Sequence, residues 1–475
     1  MKIKTNKQPQ GSMLLVTMLT AFIVGMALAS YLTLVSVQNQ STLRSQSWNS
    51  AVPVMEAGVE EALTALQYYG TTNLASGGWT LNSYDGFYHT TSTLRNGNSQ
   101  NGYSYDVGIK RPALGQPDQP IIESLGYAPA PLNLATSYKG DLWNYKRPYG
   151  MILGGMIPLY TPDIPTTKRK VRVVAKNDPI FNRAMAAQGI INLNGRFVLT
   201  DSFDSSDPAA STLGKYDSTK NKANGDVATN GKLINVNNAG IMGKASTGPG
   251  GSIELGTWAS VGDKAWVSAG TIGIQPGHVT DDMNVDFPPV IVPAAAIAGS
   301  TSYSGSQGGA KLLTGSLLGS PTYFNLSSLT GKINVTGNVV VYVPAGGTVS
   351  FTGNDGITLA NGATFTLYVG ATTATIGGNG VINPGSALNF QYYGLPTNTS
   401  INFNGNASYT GSIYAPSADF TLGGGGSSMY DFVGSSITAS VTMNGHYHFH
   451  YDEALAKTGP TRGYVVSSWN EVGMN

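Results

Sequence analysis

The sequence predicts a mainly β protein led by one long helix, and three observations carry that prediction. Glycine supplies 61 of 475 residues while charged residues make up only 11%, against an ordinary share of about 25%. An apolar stretch near the N-terminus, Ser12 to Leu43, contains no charged residue. Towards the C-terminus, short Val-, Ile- and Phe-rich runs are cut repeatedly by Gly and Asn, the residues that take the positive-φ corners of turns. The length points to more than one domain. With 41% hydrophobic residues and a net charge of +1, the chain can bury a core and lacks the basic excess of a nucleic-acid binder. The absence of cysteine removes disulfides, thiolate metal sites and a cysteine nucleophile. The common dinucleotide, P-loop, H-E-x-x-H and G-x-S-x-G signatures are also missing. No cofactor is expected.

The first element is the N-terminal helix. Residues 1–11 hold Lys2, Lys4 and Lys7 and no acid. The run Ser12–Val37 would measure about 39 Å as a helix, enough for a hydrocarbon layer of about 30 Å. Basic residues ahead of it predict a cytoplasmic N-terminus and an exported remainder. The run is longer than the apolar core of an ordinary secretory signal, so it reads as an anchor. Val52, Met55, Val59, Ala62 and Leu66 then keep a helical stripe, with Glu56, Glu60 and Glu61 off it. Pro53 should kink or break the rod.

A basic leader ending in glycine, an apolar half-helix and an amphipathic half-helix together resemble a type IV pilin or pseudopilin. GSMLLVTMLTAFIVGMALASYLTLVSV and AVPVMEAGVEEALTAL are similar to the corresponding stretches of PilX-type minor pilins. The resemblance implies a prepilin-peptidase cut between Gly11 and Ser12, insertion in the inner membrane, and other pilin or pseudopilin subunits as partners. In major pilins the fifth mature residue is a glutamate that neutralises the next subunit's N-terminal amine. Here that position is Val16, and a missing acid resembles the minor pseudopilins placed at a fibre tip.

After the helix (12–67), Tyr103–Lys110, Pro120–Gly126 and Arg169–Lys176 read as strands by alternation and β-branched content. A long helix followed by antiparallel strands resembles the small α+β head of a pilin, placed at 68–180, with a Pro- and Tyr-rich insertion at 127–167. The composition then changes. A Gly/Asn-rich region at 185–455 is expected to be a β-solenoid, containing a polar, low-complexity linker at 205–250 whose lysines are solvated. Pro288–Pro293 (PPVIVP) should mark a boundary, and 456–475 should be a tail.

Within the solenoid region, Thr336-Gly337-Asn338 recurs as Thr352-Gly353-Asn354, then as Gly378-Asn379 and Gly405-Asn406, at irregular intervals. Between 288 and 451 the charged residues are Lys311, Lys332, Asp355, Asp419 and Asp431. So few charges suit stacked side-chain ladders and suit catalysis badly, since glycan-processing enzymes need clustered carboxylates. The words GSIYAPSAD, FVGSS, GHYHFHYDEAL and VSSWNE at the C-terminal end, with DSFDS at 201–205, resemble a domain of unknown function in PilX-like bacterial surface proteins. That resemblance implies a right-handed parallel β-helix.

Three groups of residues could carry chemistry. His446, His448 and His450 alternate with Tyr447, Phe449 and Tyr451. In a strand this sets imidazoles on one face and rings on the other, so two could converge on a metal with Asp452 or Glu453 nearby. The competing and favoured reading has the aromatics packed inside and the histidines on a polar face. Asp201, Asp204 and Asp207 suit Asx turns better than a calcium loop. Tyr392, Tyr393, Tyr409 and Tyr414 are candidates for an exposed aromatic stripe facing a glycan.

The functional expectation is a non-enzymatic minor pilin or pseudopilin-like structural protein at a fibre tip or initiation point, exported from the inner membrane. The alternative is a membrane-tethered adhesin that binds glycans or a cell surface. A polysaccharide-processing enzyme is the third reading.

Overall fold

The computed structural model describes residues 12–93, 103–113, 118–129, 166–195, 198–405, 408–424, 428–444 and 447–473. The chain divides into two units, Met1–Asp178 with Gly463–Asn475, and Pro179–Arg462.

The first unit is built on helix α1 (Ser12–Tyr69). Its second half buries Ala51, Val54, Met55, Val59, Ala62, Ala65 and Leu66 along one stripe, close to the stripe read from the sequence. The helix is continuous through Pro53, so the proline does not break it. An internal proline costs about 3 kcal/mol or more, and the buried side chains on either side of it supply the compensating contact. The stripe seats on an antiparallel sheet of β1 (Thr80–Leu81), β2 (Tyr88–Thr93), β3 (Ser104–Lys110), β4 (Ile121–Pro129) and β5 (Thr166–Pro179). β4 alternates partly and fully buried residues along its length, which the period of a half-buried strand requires. Two glycines let helix and sheet close up. A Cβ on Gly126 would lie 2.7 Å from Ala51 O and Met55 N, and one on Gly58 would lie 2.3 Å from Ser124 Oγ. Ser124 Oγ donates to Met55 O at 2.8 Å.

The expected tail is instead a strand, Thr461–Val472, which takes the edge of this sheet beside β5. Ser467 Oγ donates to Val174 O at 3.0 Å, and Arg169 grips Glu471 with two bonds of 2.7 and 2.6 Å. The strand is mostly exposed, as an edge strand can be, and its isolation at the end of the sequence hid its partner. The second unit is therefore inserted in the chain between two neighbouring strands of the first. Most of the 127–167 insertion lies outside the described residues.

The second unit consists mainly of parallel strands stacked in ladders, with one antiparallel pair between 305–307 and 310–314 among the described residues. Ile333 lies opposite Ile357, and Ile357 opposite Val381. Val339, Phe365 and Phe390 form a second ladder, and Val349, Ala374 and Ile401 a third. These residues are all essentially buried, so each short strand contributes one or two apolar side chains to a continuous interior. Gly337 (φ 67°) and Gly353 (φ 60°), from the recurring Thr-Gly-Asn words, take the left-handed conformation that spares a side-chain clash.

The unit's first strands close the stack on its last. The strands β6 (Met185–Ala187), β7 (Ile191–Leu193) and β8 (Leu199–Phe203) pair in parallel with Tyr430–Met443 and Tyr447–Asp452, through Ser436↔Met185, Val441↔Ile191 and His450↔Asp201. The stretch 205–250 is not a linker. Val227–Thr229, Leu233–Asn235 and Gly240–Met242 continue the ladders beyond β6, β7 and β8. A parallel ladder needs only one buried residue per short strand, here Val227, Ile234 and Ile241, so a polar composition concealed it. Nor does PPVIVP end a domain. Tyr414 Oη donates to Pro288 O at 2.8 Å, and Asn325 Nδ2 to Ile297 O at 2.7 Å. Prolines cannot join a ladder, but this segment is held against its outer side.

Candidate functional site

Among the candidate site residues, Gly11 and His446 lie outside the described residues, as do the basic leader, Asn406 and Gly445. Ser12 begins α1. Val16 and nearly all the large apolar residues from Met13 to Val37 are exposed, Val35 being half-buried, on a helix long and apolar enough to cross a membrane. A signal sequence has the same property.

The tyrosines are divided. Tyr392 and Tyr409 are fully buried, so the stripe does not exist as expected: consecutive residues 392 and 393 point to opposite sides of a strand. The outward side carries a different column, Tyr342, Tyr368, Tyr393 and Tyr414, in register on successive strands. Tyr368 and Tyr393 stack at 5.2 Å. Tyr414 is covered as well as hydrogen-bonded to Pro288. The column was hidden because its members lie 21 to 26 positions apart in sequence.

The densest polar cluster surrounds His450. Its ring is buried between strands, with Nδ1 2.5 Å from Asp201 Oδ1 and Nε2 3.3 Å from Asp431 Oδ1. Asp201 Oδ2 accepts from Tyr216 Oη and from Asn221 Nδ2, both at 2.7 Å. The Tyr216 ring stacks on His450 with centroids 3.5 Å apart. A tight two-residue turn aims that tyrosine: Thr212 and Lys215 exchange backbone bonds of 3.0 Å across Leu213 (φ 53°) and Gly214 (φ 73°), the dihedral signs of a primed hairpin turn. Burial by itself would lower the His450 pKa, but the two carboxylates more than reverse this and raise it. The Asp431 carboxyl is held below its usual range, chiefly by its bond to His450. Burial and the charge of His450 push His448 down.

Further contacts link the same two sequence words. Ser202 Oγ donates to Glu453 Oε1 at 2.8 Å, and Ser205 N to Asp452 Oδ1 at 3.0 Å. Lys457 pairs with Asp204, and Lys222 with Glu453. DSFDS and HYDEAL are thus two sides of one seam. Two of the lysines expected in solvent take part in structure, Lys222 as above and Lys220 through Ser211 O at 2.7 Å, while Lys232 is exposed. Asp204 and Asp207 form Asx turns to Ser206 N and Ala209 N, at 3.0 and 2.9 Å. Asp201 instead sits in β8.

The metal reading fails for the described histidines. Both nitrogens of His450 face carboxylates, and among the described residues no group of three or more His, Asp or Glu is placed to hold a metal ion. Tyr447 and Phe449 are fully buried, as the packing alternative required, but so is His450. Strand alternation alone could not show that β8 would cover its polar side with an aspartate.

Residues 313–458 match the model of a family described as a domain of unknown function, DUF7305. Such a domain is therefore present towards the C-terminal end, and the match omits DSFDS. No curated protein matches the chain. Among solved structures, the DUF3494 domain of ice-binding protein 1 from Shewanella frigidimarina aligns with 58% of this chain and 99% of its own, at 13% identity and a TM-score of 0.24. That likeness is too weak to carry an inference.

Proposed function

We propose that the chain is a membrane-anchored, exported structural subunit of minor-pilin or pseudopilin type, which displays the second unit as a right-handed β-solenoid. The observation that carries this reading is the division of α1: an exposed, charge-free apolar half continuous with an amphipathic half seated on a small antiparallel sheet. The first half suits a bilayer during insertion and neighbouring apolar helices in a fibre. The inserted parallel ladders suit display outside the membrane. Prepilin peptidase would release the leader after Gly11. Val16, without an acid to neutralise an adjoining amine, favours a tip or initiating position.

N-terminal sequencing of protein from membrane and sheared-fibre fractions tests the reading. Ser12 as the first residue, with the protein present in fibres, is the expected result. An intact Met1, or a cut beyond Ala29 as in a removed signal sequence, overturns it.

A second reading, a tethered glycan-binding module, rests on the outward Tyr342–Tyr368–Tyr393 column. Aromatic rings with polar tips suit mixed apolar and hydrogen-bonding contacts.

A further inference from the structure

The seam between the first and last strands of the second unit carries a charge arrangement with a consequence of its own, independent of the anchor. His450 and Asp201 are direct partners across it. Asp431 approaches from the adjoining strand, where its own partner is His448.

Ionised carboxylates only accept hydrogen bonds, and a neutral imidazole has one N–H to give. Both ring nitrogens of His450 face carboxylate oxygens, so both contacts are satisfied only by imidazolium. In the neutral ring one nitrogen would present a lone pair to a carboxylate. The two aspartates would not share that loss equally. Asp201 is fully buried and keeps Tyr216 and Asn221 as donors. Asp431 has a side chain 49% exposed and can turn to water. The remaining groups facing the ring are Tyr216 from the 212–222 segment and His448 from its own strand. Neither supplies a positive charge in its place: a phenol has none, and His448 is pushed towards its neutral form.

We propose that His450 is a proton-controlled clasp on this seam: the imidazolium ties Asp201 and Asp431 together, and loss of its proton frees Asp431 and loosens the pairing of the first strands on the last. Asp431 and Tyr216 line a surface pocket together with Lys215 and Phe203, so a proton can reach the cluster without the unit unfolding. The clasp is not poised as a general base, because its outward nitrogen is already capped by a carboxylate. The direction with pH follows from the raised His450 pKa. Stabilisation is full below the unfolded histidine value of about 6.5 and is lost as pH rises through the higher folded value. The lowered Asp431 value sets the acid limit, since its share is present above about 3.9 and lost as pH falls through the folded value.

Hydrogen exchange of the full-length protein in detergent, corrected for intrinsic rates at pH 6 and pH 9, tests the clasp. Amides in 198–222 and 430–452 should lose protection at pH 9 by a factor of about ten for each unit separating the folded and unfolded His450 values, while those in 333–376 keep theirs. In Asp431→Asn the amide can donate to a neutral ring, so the seam should stay protected and its pH response should largely vanish. His450→Gln should give a response-free seam of lower protection. Equal protection of the wild-type seam at both pH values overturns the proposal, as does an unchanged pH response in Asp431→Asn. Those two measurements decide the matter even where His450→Gln does not fold.

Discussion

The ladders at 333–403 and the seam at 198–205 and 447–457 use the same parallel pairing with opposite side-chain chemistry. The ladders stack like on like: Phe365 on Phe390 at 5.5 Å, with Ile333, Ile357 and Val381 in line. Such a core is stable but poorly discriminating, because one apolar strand replaces another at small cost. The seam must bring together strands some 250 residues apart in sequence, and there charged and polar groups meet in complementary pairs. A one-residue slip would set Asp201 opposite Phe449 or Tyr451 and part it from His450, at several kcal/mol per unpaired buried charge. Apolar stacking supplies cohesion, and the ionic cluster identifies the partner.

The largest effect should come from the point where these two regions meet. Phe432 is fully buried and stacks on Tyr409 at 4.5 Å and on Phe449 at 4.4 Å. Phe432→Ala should destabilise the unit by about 3–5 kcal/mol, measured as lost protection of its slowest-exchanging amides. A loss confined to 447–458 would show that the seam opens separately from the ladders, and so would break the comparison.

Legibility in the sequence followed the same division. The apolar helix and the glycine-punctuated runs of 331–382 could be read because their signals are local: a charge-free stretch, an alternation, a recurring turn word. The strands at 227–242 were concealed in a polar stretch, since each buries one or two residues and takes its support from distant strands. His450 was visible as a motif but was assigned to a polar surface or a metal. Its partners Asp201 and Asp431 lie in separate words, and no local period joins them. Pro53 does not break α1, because tertiary contact of the flanking stripe with β4 outweighs the local preference of proline.

A smaller effect should follow Asp201→Asn. The substitution keeps the shape and leaves Tyr216 with an acceptor, but it removes one of the two charges paired with His450. A cost of about 1.5–3 kcal/mol at pH 6 is expected, the range of hydrogen bonds to charged groups. It should shrink from pH 6 to pH 9, because the wild-type clasp loses its contribution as pH rises above the unfolded histidine value and through the folded one. Exchange protection in 198–222, compared at the two pH values, reads the difference. A cost that is the same at both would mean that Asp201 serves the seam through Tyr216 and Asn221 alone.

The smallest effect belongs to the rim. Lys457 is 55% exposed and pairs with the buried carboxylate of Asp204, which also accepts from Ser206 N at 3.0 Å and Ser206 Oγ at 2.5 Å. Burial works to raise the Asp204 pKa, but Lys457 and Ser206 together hold it below the ordinary range. Lys457→Ala leaves Asp204 with its serine bonds and a short path to water, so the loss should stay within about 1 kcal/mol and fade with added salt. Its pH signature should oppose that of His450. A depressed carboxylate contributes above the unfolded value near 3.9 and loses that contribution as pH falls through the folded value. The rim pair should therefore weaken in acid while the buried clasp weakens in alkali. Urea titrations of wild type and Lys457→Ala at pH 3, 6 and 9 separate the two: the margin between the variants should be narrower at pH 3 than at pH 6 and should be the same small size at pH 6 and pH 9. A margin that grew at pH 9 would place Lys457 inside the clasp rather than at its edge, since only there would losing the imidazolium leave a lysine to carry the seam's positive charge.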